Sequence, residues 1–382
     1  MKNILLICQS QDGSYVNLLN EAVKKNGGNL SVFTGKKSDI SDEVEVTDGP
    51  VYDSTSFVRR FKTWFAFVIS AKKYLKENLE KFDAVMFTSN PPVNQVLVNY
   101  VQKKGKKCIY LIWDIYPDCI EKTFGKKVLP ITNMWRKINS RMYKKCDAVL
   151  TIGEVMKQNI LKSYKNLAVS VIPYHADTEF IKPVSKEENP FVKENGLLGK
   201  KVFMYSGKMG FGHGFSEMLA VAQELKNRDD IMFMFIGHGQ AFKDIEGFIK
   251  EKGLKNAKIL PYQPLEMLPY SLGAADVSFI TIKEETDGLF LPSKVYDAMA
   301  SGSAVIAISG QNNDVAQMLG AETLGICVKP GSTEELKNAV LKLADNDEYL
   351  SVCQQNARKL AVDKYRIECV INQYAELFGK II

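Results

Sequence analysis

Short apolar runs of strand length alternate with longer stretches of helical period along this chain, and the alternation starts afresh midway. That rhythm is the mark of parallel α/β architecture, because each strand must be followed by a crossover that brings the chain back beside it. In the first half the strand candidates are Asn3–Cys8, Leu30–Thr34, Ala84–Thr88, Lys107–Trp113, Ala148–Ile152 and Val169–Ile172. Helical patterns lie near Tyr15–Lys25, Arg59–Leu79, Val93–Lys104 and Val155–Ser163. Pro173 to Gly199, with three prolines and many charges, reads as a linker. Beyond it, Val202–Tyr205, Met232–Ile236, Lys258–Leu260, Val277–Thr281, Ala304–Ile308 and Gly325–Val328 read as strands, with helices from Phe215, Ala241, Leu291 and Thr333. The expectation is two doubly wound parallel units, residues 1–180 and 181–365. The last helical segment, Glu368–Gly379 within residues 366–382, is expected to cross back and brace the first unit. Ligands in such sheets bind at the carboxyl ends of the strands, so the turns after strands and the cleft between the units are the places to look.

A chain of 382 residues has the length for two domains. Its 46 % apolar and 25 % charged residues are ordinary globular composition, which excludes disorder and a disulfide-stapled miniprotein. The longest nearly apolar run, Trp64–Ala71, is less than half of the roughly 20 residues a membrane span needs. No signal peptide is expected, since a strand-like run begins at Asn3 with no small-residue cleavage site behind it. Seven scattered cysteines without a CxxC pair suit thiols in a reducing cytosol. With three histidines and no paired ligand spacing, no metal site is expected. The net charge of +6 is unevenly placed: between Phe57 and Lys145 stand 19 lysines and arginines against 6 acids. Such a one-sided basic region suits an anionic partner, a membrane surface, a lipid phosphate or nucleic acid, or else a solvated helical face.

Two constellations could carry chemistry. Tyr205-Ser206-Gly207-Lys208-Met209-Gly210-Phe211-Gly212-His213-Gly214 follows a strand and precedes a helix. Glycines let the backbone approach a ligand closely, the following helix start offers N–H groups to an anion, and Lys208 adds a full charge. A diphosphate is the ligand this suits, although the Walker pattern is absent and the dinucleotide fingerprint fits poorly. The second runs from Asp287-Gly288-Leu289-Phe290-Leu291 through Pro292-Ser293-Lys294 to Asp297 and Gly302. Pro292 is placed to open a helix. Asp297 could accept hydrogen bonds from a ribose diol, and Lys294 with the N–H groups near Ser293 could meet phosphate or sugar hydroxyls.

The segments LPSKVYDAMASGSAVIA and VFMYSGKMGFGHGFSEML resemble two signature regions of the retaining GT-B glycosyltransferases of family 4. IYLIWDIYPDCIEKTFG resembles the aspartate-aromatic-proline segment of bacterial polysaccharide-assembly members, VIPYHADTEFIKP the end-of-domain segment, and FIGHGQ a glycine turn after a strand. The resemblance spans most of the chain in the expected order. It implies a GT-B fold, two Rossmann-like domains facing a central cleft, with a nucleoside-diphosphate sugar held mainly by the C-terminal domain. By resemblance, Gly207, Lys208 and Gly210 hold the diphosphate, and Asp297 the ribose. Asp287, Gly288, Leu289 and Phe290 face the transferred sugar, Tyr262 and Gln263 lie near the base, and Gly13 approaches the donor from the N-terminal domain. Many members carry two glutamates seven residues apart and a second lysine after the first. Here both acids are aspartates with nine residues between them, a spacing that suits the branch with a PSK segment, and His213 stands near the second lysine's place.

The implied reaction is metal-independent transfer with retention, on a lipid-linked or growing capsule or exopolysaccharide acceptor, with no cofactor beyond the nucleotide-sugar substrate, a UDP-sugar first. Lys208, Lys294 and preorganised N–H donors would stabilise the departing diphosphate. Asp114, at a strand end beside Trp113, is the candidate for orienting the acceptor or removing its proton, with a helix cap as the competing role. His175 reads as structural. Arg59, Arg60, Lys62 and Trp64 are expected to meet an anionic membrane interface where a polyprenyl-diphosphate acceptor would lie, unless Trp64–Phe67 packs into the core. The expected location is cytoplasmic, at the inner face of the plasma membrane. A sugar-nucleotide epimerase of the same two-unit fold and a nucleic-acid-binding protein are the rival readings.

Overall fold

A computed structural model describes residues 2–10, 12–36, 39–53, 55–210 and 214–382. The chain divides into two units, the first formed by Met1–Pro173, Leu289–Leu291 and Ile367–Ile382, the second by Tyr174–Gly288 and Pro292–Arg366.

The first unit's strands are β1 (Lys2–Ile7), β2 (Gly28–Thr34), β3 (Glu45–Asp48), β4 (Ala84–Thr88), β5 (Lys107–Ile112), β6 (Ala148–Thr151) and β7 (Ser170–Val171). They pair in parallel in the order β3-β2-β1-β4-β5-β6-β7. All five residues of β4 are buried, so its apolar run is unbroken rather than alternating, as strands covered by helices on both faces require. The C-terminal helix Ile367–Ile381 packs on the helix Gly13–Lys24, where the hydroxyls of Tyr15 and Tyr374 meet and Asn26 donates from Nδ2 to the Ala375 carbonyl at 2.8 Å.

The second unit's strands are β8 (Lys201–Ser206), β9 (Ile231–Ile236), β10 (Ala257–Leu260), β11 (Val277–Thr281), β12 (Ala304–Ile308) and β13 (Gly325–Val328), ordered β10-β9-β8-β11-β12-β13 and again parallel. Phe203 and Tyr205 of β8 enter one apolar layer with Phe215, Phe233, Phe235 and Phe279. Val202 and Met204, the alternate positions, enter another with Met232, Met234, Phe191, Val192 and Leu197.

That second layer corrects the expected linker. Residues 173–199 include the helix Pro190–Asn195, whose Phe191, Val192 and the following Leu197 are buried core. The polar residues there are used as well: Asn189 caps the helix by accepting from the Phe191 and Val192 amides, and Lys186 pairs with Asp276. The helix expected from Leu291 starts later, at Lys294, so Pro292 precedes it and does not open it. The Val93–Lys104 segment begins as a tight 3-10 turn, Asn94–Leu97, before the helix Val98–Lys103.

Candidate active site

In the second unit the strand order reverses between β8 and β11, the point at which doubly wound sheets bind ligands. The two constellations are the turns that leave these two strands. The glycine turn after β8 is locked to its neighbour after β9: Gly207 N–H donates to the Ile236 carbonyl at 2.8 Å and Met209 N–H to the His238 carbonyl at 2.9 Å. A Cβ at Gly237 would stand 1.9 Å from the Gly207 oxygen, and one at Gly239 would stand 2.3 Å from the Met209 oxygen. With φ of 145° and 151°, both positions also lie in backbone space that side chains disfavour.

Lys294 crosses from the other turn. Its ammonium donates to the Tyr205 hydroxyl at 2.7 Å and lies 4.0 Å from that ring's centroid. The Tyr205 hydroxyl donates in turn to the Lys208 carbonyl at 2.7 Å, so one chain of bonds fixes the loop from below. A Cβ at Gly207 (φ 130°) would stand 2.5 Å from Lys294 Cε, so the absence of a side chain there is what admits the lysine. Burial pushes the Lys294 ammonium down to about 8, against a partial upward pull from Asp297. Lys208 is exposed, and Ser293 is exposed at the start of the helix Lys294–Ala300. Gly210 closes the described part of the turn; His213 lies outside the described residues. Tyr262 is 55 % exposed in the loop after β10 and acts electrostatically on Tyr205, while Gln263 donates to the Pro261 carbonyl at 2.9 Å.

Asp287 is engaged by a partner loop that the sequence did not point to. One carboxylate oxygen accepts from the Asn312 amide at 2.9 Å, the other from Asn313 Nδ2 at 2.6 Å. Gly310 makes the approach possible, since a Cβ there would lie 2.4 Å from the carboxylate. Asn313 also caps the helix Asp314–Glu322 through the Ala316 amide. Asp287 thereby fixes where Gly288 (φ 70°) and the next residues run. Leu289 is buried, and Leu289, Phe290 and Leu291 belong to the first unit.

In the first unit, Asp114 follows β5 and is held through its backbone: its N–H donates to Ser89 Oγ at 3.2 Å, and it forms a bridge with Phe290. Among the described residues no hydrogen bond to its carboxylate is formed, so the capping role finds no support. Burial raises its carboxyl to about 6. Gly13 is the buried first residue of the helix Gly13–Lys24, next to the Asp12 cap. His175, in the second unit, is buried and stacks on Tyr174 with ring centroids 4.5 Å apart. Of the four residues expected at a membrane interface, Trp64 and Arg60 face inward. Trp64 is 3 % exposed and packs against Phe61 and Tyr116, with Phe67 fully buried beside it. Arg60 is half-buried with its Nε enclosed, because both positions lie on the inward side of their helix. Arg59, exposed and 3.6 Å from Asp53, and Lys62 do stand in solvent. Among the described residues no group of three or more histidine, cysteine or acidic side chains is placed to hold a metal ion, and no helix is long and apolar enough to cross a membrane.

Residues 186–360, a little under half of the chain, match the family described as Glycosyl transferases group 1. The chain is 25 % identical over 288 residues to "Probable glycosyltransferase WbjE" of Pseudomonas aeruginosa, covering 74 % of this chain and 70 % of that one. It is 25 % identical over 178 residues to "Putative colanic acid biosynthesis glycosyl transferase WcaI" of Escherichia coli, covering 46 % of this chain and 42 % of the relative. Among solved structures, Anabaena Alr3699/HepE in complex with UDP matches with a TM-score of 0.76 at 14 % identity, over 100 % of both chains. The fold matches that of GT-B glycosyltransferase structures, and residues 186–360 are similar to the group 1 glycosyltransferase family.

Proposed function

We propose that this chain is a retaining glycosyltransferase that moves a sugar from a nucleoside-diphosphate sugar, a UDP-sugar first, to a lipid-linked or growing surface-polysaccharide acceptor without a metal. The observation that carries the reading is the meeting of Lys294 with the glycine turn at the strand-order reversal, where a desolvated ammonium stands against a turn that has no side chain at Gly207. Departure of a nucleoside diphosphate breaks the bond from the anomeric carbon and leaves the electron pair on a phosphate oxygen. Lys294, Lys208 and fixed N–H groups would stabilise that charge without reorganising. Asp297 would accept from the ribose, and Asp287 would shape the Gly288–Phe290 stretch that faces the sugar. Asp114, with a carboxyl near 6, would orient the acceptor hydroxyl or take its proton. UDP is favoured by the HepE complex, and a polysaccharide acceptor by the colanic acid relative.

Incubation with UDP-, GDP- and dTDP-sugars in EDTA, followed by proton and phosphorus NMR, tests this reading. One donor should be consumed slowly even without acceptor, releasing the nucleoside diphosphate and a sugar of unchanged anomeric configuration. Conversion of a donor into its epimer with the diphosphate still attached would establish the epimerase reading. Loss of all turnover in EDTA, restored by a divalent ion, would overturn metal independence.

A further inference from the structure

Strands β4 and β5 stop pairing just before Asp114, and a side chain ends the ladder. The Ser89 N–H still donates to the Leu111 carbonyl at 2.9 Å, as a parallel ladder requires. The next bond of that ladder would run from the Trp113 N–H to the Ser89 carbonyl. The Trp113 N–H instead donates to Ser89 Oγ at 2.9 Å, and the Asp114 N–H donates to the same oxygen at 3.2 Å. One hydroxyl therefore receives two successive amides where the chain leaves β5. Ser89 is 4 % exposed, so water does not stand in for it.

The turn that carries Ser89 is itself fixed. The Asn90 carbonyl accepts from the Gln9 N–H at 2.8 Å, from Thr88 Oγ1 at 3.1 Å and from Asn94 Nδ2 at 3.3 Å, with Thr88 and Asn94 fully buried. These bonds tie together the ends of β1 and β4, the strands between which the first unit's order reverses. Trp113 is packed edge-on against Tyr15, with ring centroids 4.8 Å apart. The main chain leading into Asp114 is held on both sides, while its carboxylate accepts no hydrogen bond among the described residues.

From this we infer that Ser89 is a positioning residue of the transfer reaction, its hydroxyl setting where the Asp114 carboxylate stands toward the acceptor hydroxyl. The inference rests on the role proposed for Asp114 above. Ser89 is too deeply buried to touch a substrate and acts through Asp114. Alanine at this position removes the acceptor and strands two buried amides, whereas threonine keeps the oxygen. Without the hydroxyl the amides gain by turning toward water, and the Asp114 carboxylate moves outward with them.

Two measurements on Ser89→Ala, Ser89→Thr and Asp114→Asn beside wild type test it. The first is turnover of the donor against pH. Ser89→Ala should lower kcat about tenfold to a hundredfold, the loss that a displacement of about 1 Å at a reacting group brings. Its acid limb should also move about one pH unit lower, because a carboxyl nearer water loses the desolvation that raises it. Tyr52, Tyr116 and Cys119, the titratable groups that sense Asp114, are pushed up by burial and add no limb there. A loss of packing alone would lower kcat and leave the limb in place. Ser89→Thr should restore both the rate and the limb. The second measurement is the titration of the Asp114 carboxyl by carbon-13 NMR, assigned by its absence in Asp114→Asn, and it needs no substrate. Its midpoint should fall in Ser89→Ala and stay in Ser89→Thr. An unmoved midpoint in Ser89→Ala overturns the inference, as does a loss of rate in Ser89→Thr as deep as in Ser89→Ala. Full turnover in Asp114→Asn overturns the role of Asp114 and the inference with it. Lowered turnover in Asp114→Asn beside full turnover in Ser89→Ala overturns the inference alone. The UDP-induced thermal shift, which the donor reading places in the second unit, should be the same in all three variants.

Discussion

Lys294 should make nucleotide binding depend on pH in a way that no exposed lysine could. Its ammonium is held near 8 by burial, against an ordinary 10.5. The displacement corresponds to about 3 kcal/mol of unfavourable desolvation in the free protein. A diphosphate supplies the missing counter-charge, so binding must draw the proton back. With a free-protein value of 8, Lys294 is about one-tenth deprotonated at pH 7 and about nine-tenths at pH 9, so the dissociation constant for UDP should rise about tenfold between them. UDP's terminal phosphate and uracil N–H also titrate toward the two ends of that range, so the Lys294 contribution is read as wild type minus Lys294→Met. Titration calorimetry in two buffers of different ionisation heat should give, by that difference, uptake of close to one proton at pH 9 and almost none at pH 7. Lys294→Met should bind UDP weakly and keep only the slope of UDP's own groups. The folded state binds fewer protons than the unfolded chain between pH 8 and 10.5, so stability rises with pH through that window. Lys294→Met should remove that rise and, in the absence of ligand, raise the melting temperature at pH 7. A wild-type affinity flat from pH 7 to 9, or the same slope in Lys294→Met, would refute the reasoning.

Asp114 carries the opposite sign. Burial raises its carboxyl to about 6, so stability falls as pH rises from about 4 through 6, and Asp114→Asn should stabilise the chain at pH 7.5 by up to about 3 kcal/mol in denaturant titrations while lowering turnover and erasing the acid limb of its pH profile. Gly237→Ala would put a methyl 1.9 Å from the Gly207 oxygen; chemical unfolding should show a loss of about 1–3 kcal/mol, with weaker UDP binding because the strain falls on the turn proposed to hold the diphosphate. Asn313→Ala removes both the Asp287 contact and a helix cap, at a cost of about 2 kcal/mol. Its kinetic signature should be a lower turnover number with UDP affinity nearly unchanged, since the proposed function puts Asp287 on the sugar side of the site.

Much of this architecture was legible because buried parallel strands are unbroken apolar runs between turn residues, and β4, β9 and β12 read that way directly. The polar edge strand Glu45–Asp48 offered no such run. The prolines of residues 173–199 suggested a linker, yet Pro190 behind Asn189 is also what a capped helix start looks like, and Phe191, Val192 and Leu197 carried the deciding weight. Glycines and Lys208 marked the turn after β8, but the Tyr205 link from Lys294 joins residues 89 apart and follows only from the β8–β11 pairing. Asp287 likewise finds Asn313 because β11 and β12 are neighbours. On the helix Phe57–Asn78 apolar residues lie on both faces, so periodicity alone did not say that Trp64 turns inward and Phe65 outward.

A crystal structure of the chain soaked with UDP tests the central claim most directly. The account predicts the diphosphate at the ends of β8 and β11, with phosphate oxygens about 3 Å from main-chain N–H groups of the glycine turn and from the Lys294 ammonium. A diphosphate bound away from these two turns, with the Lys294–Tyr205 bond undisturbed and no phosphate oxygen on the lysine, would contradict it.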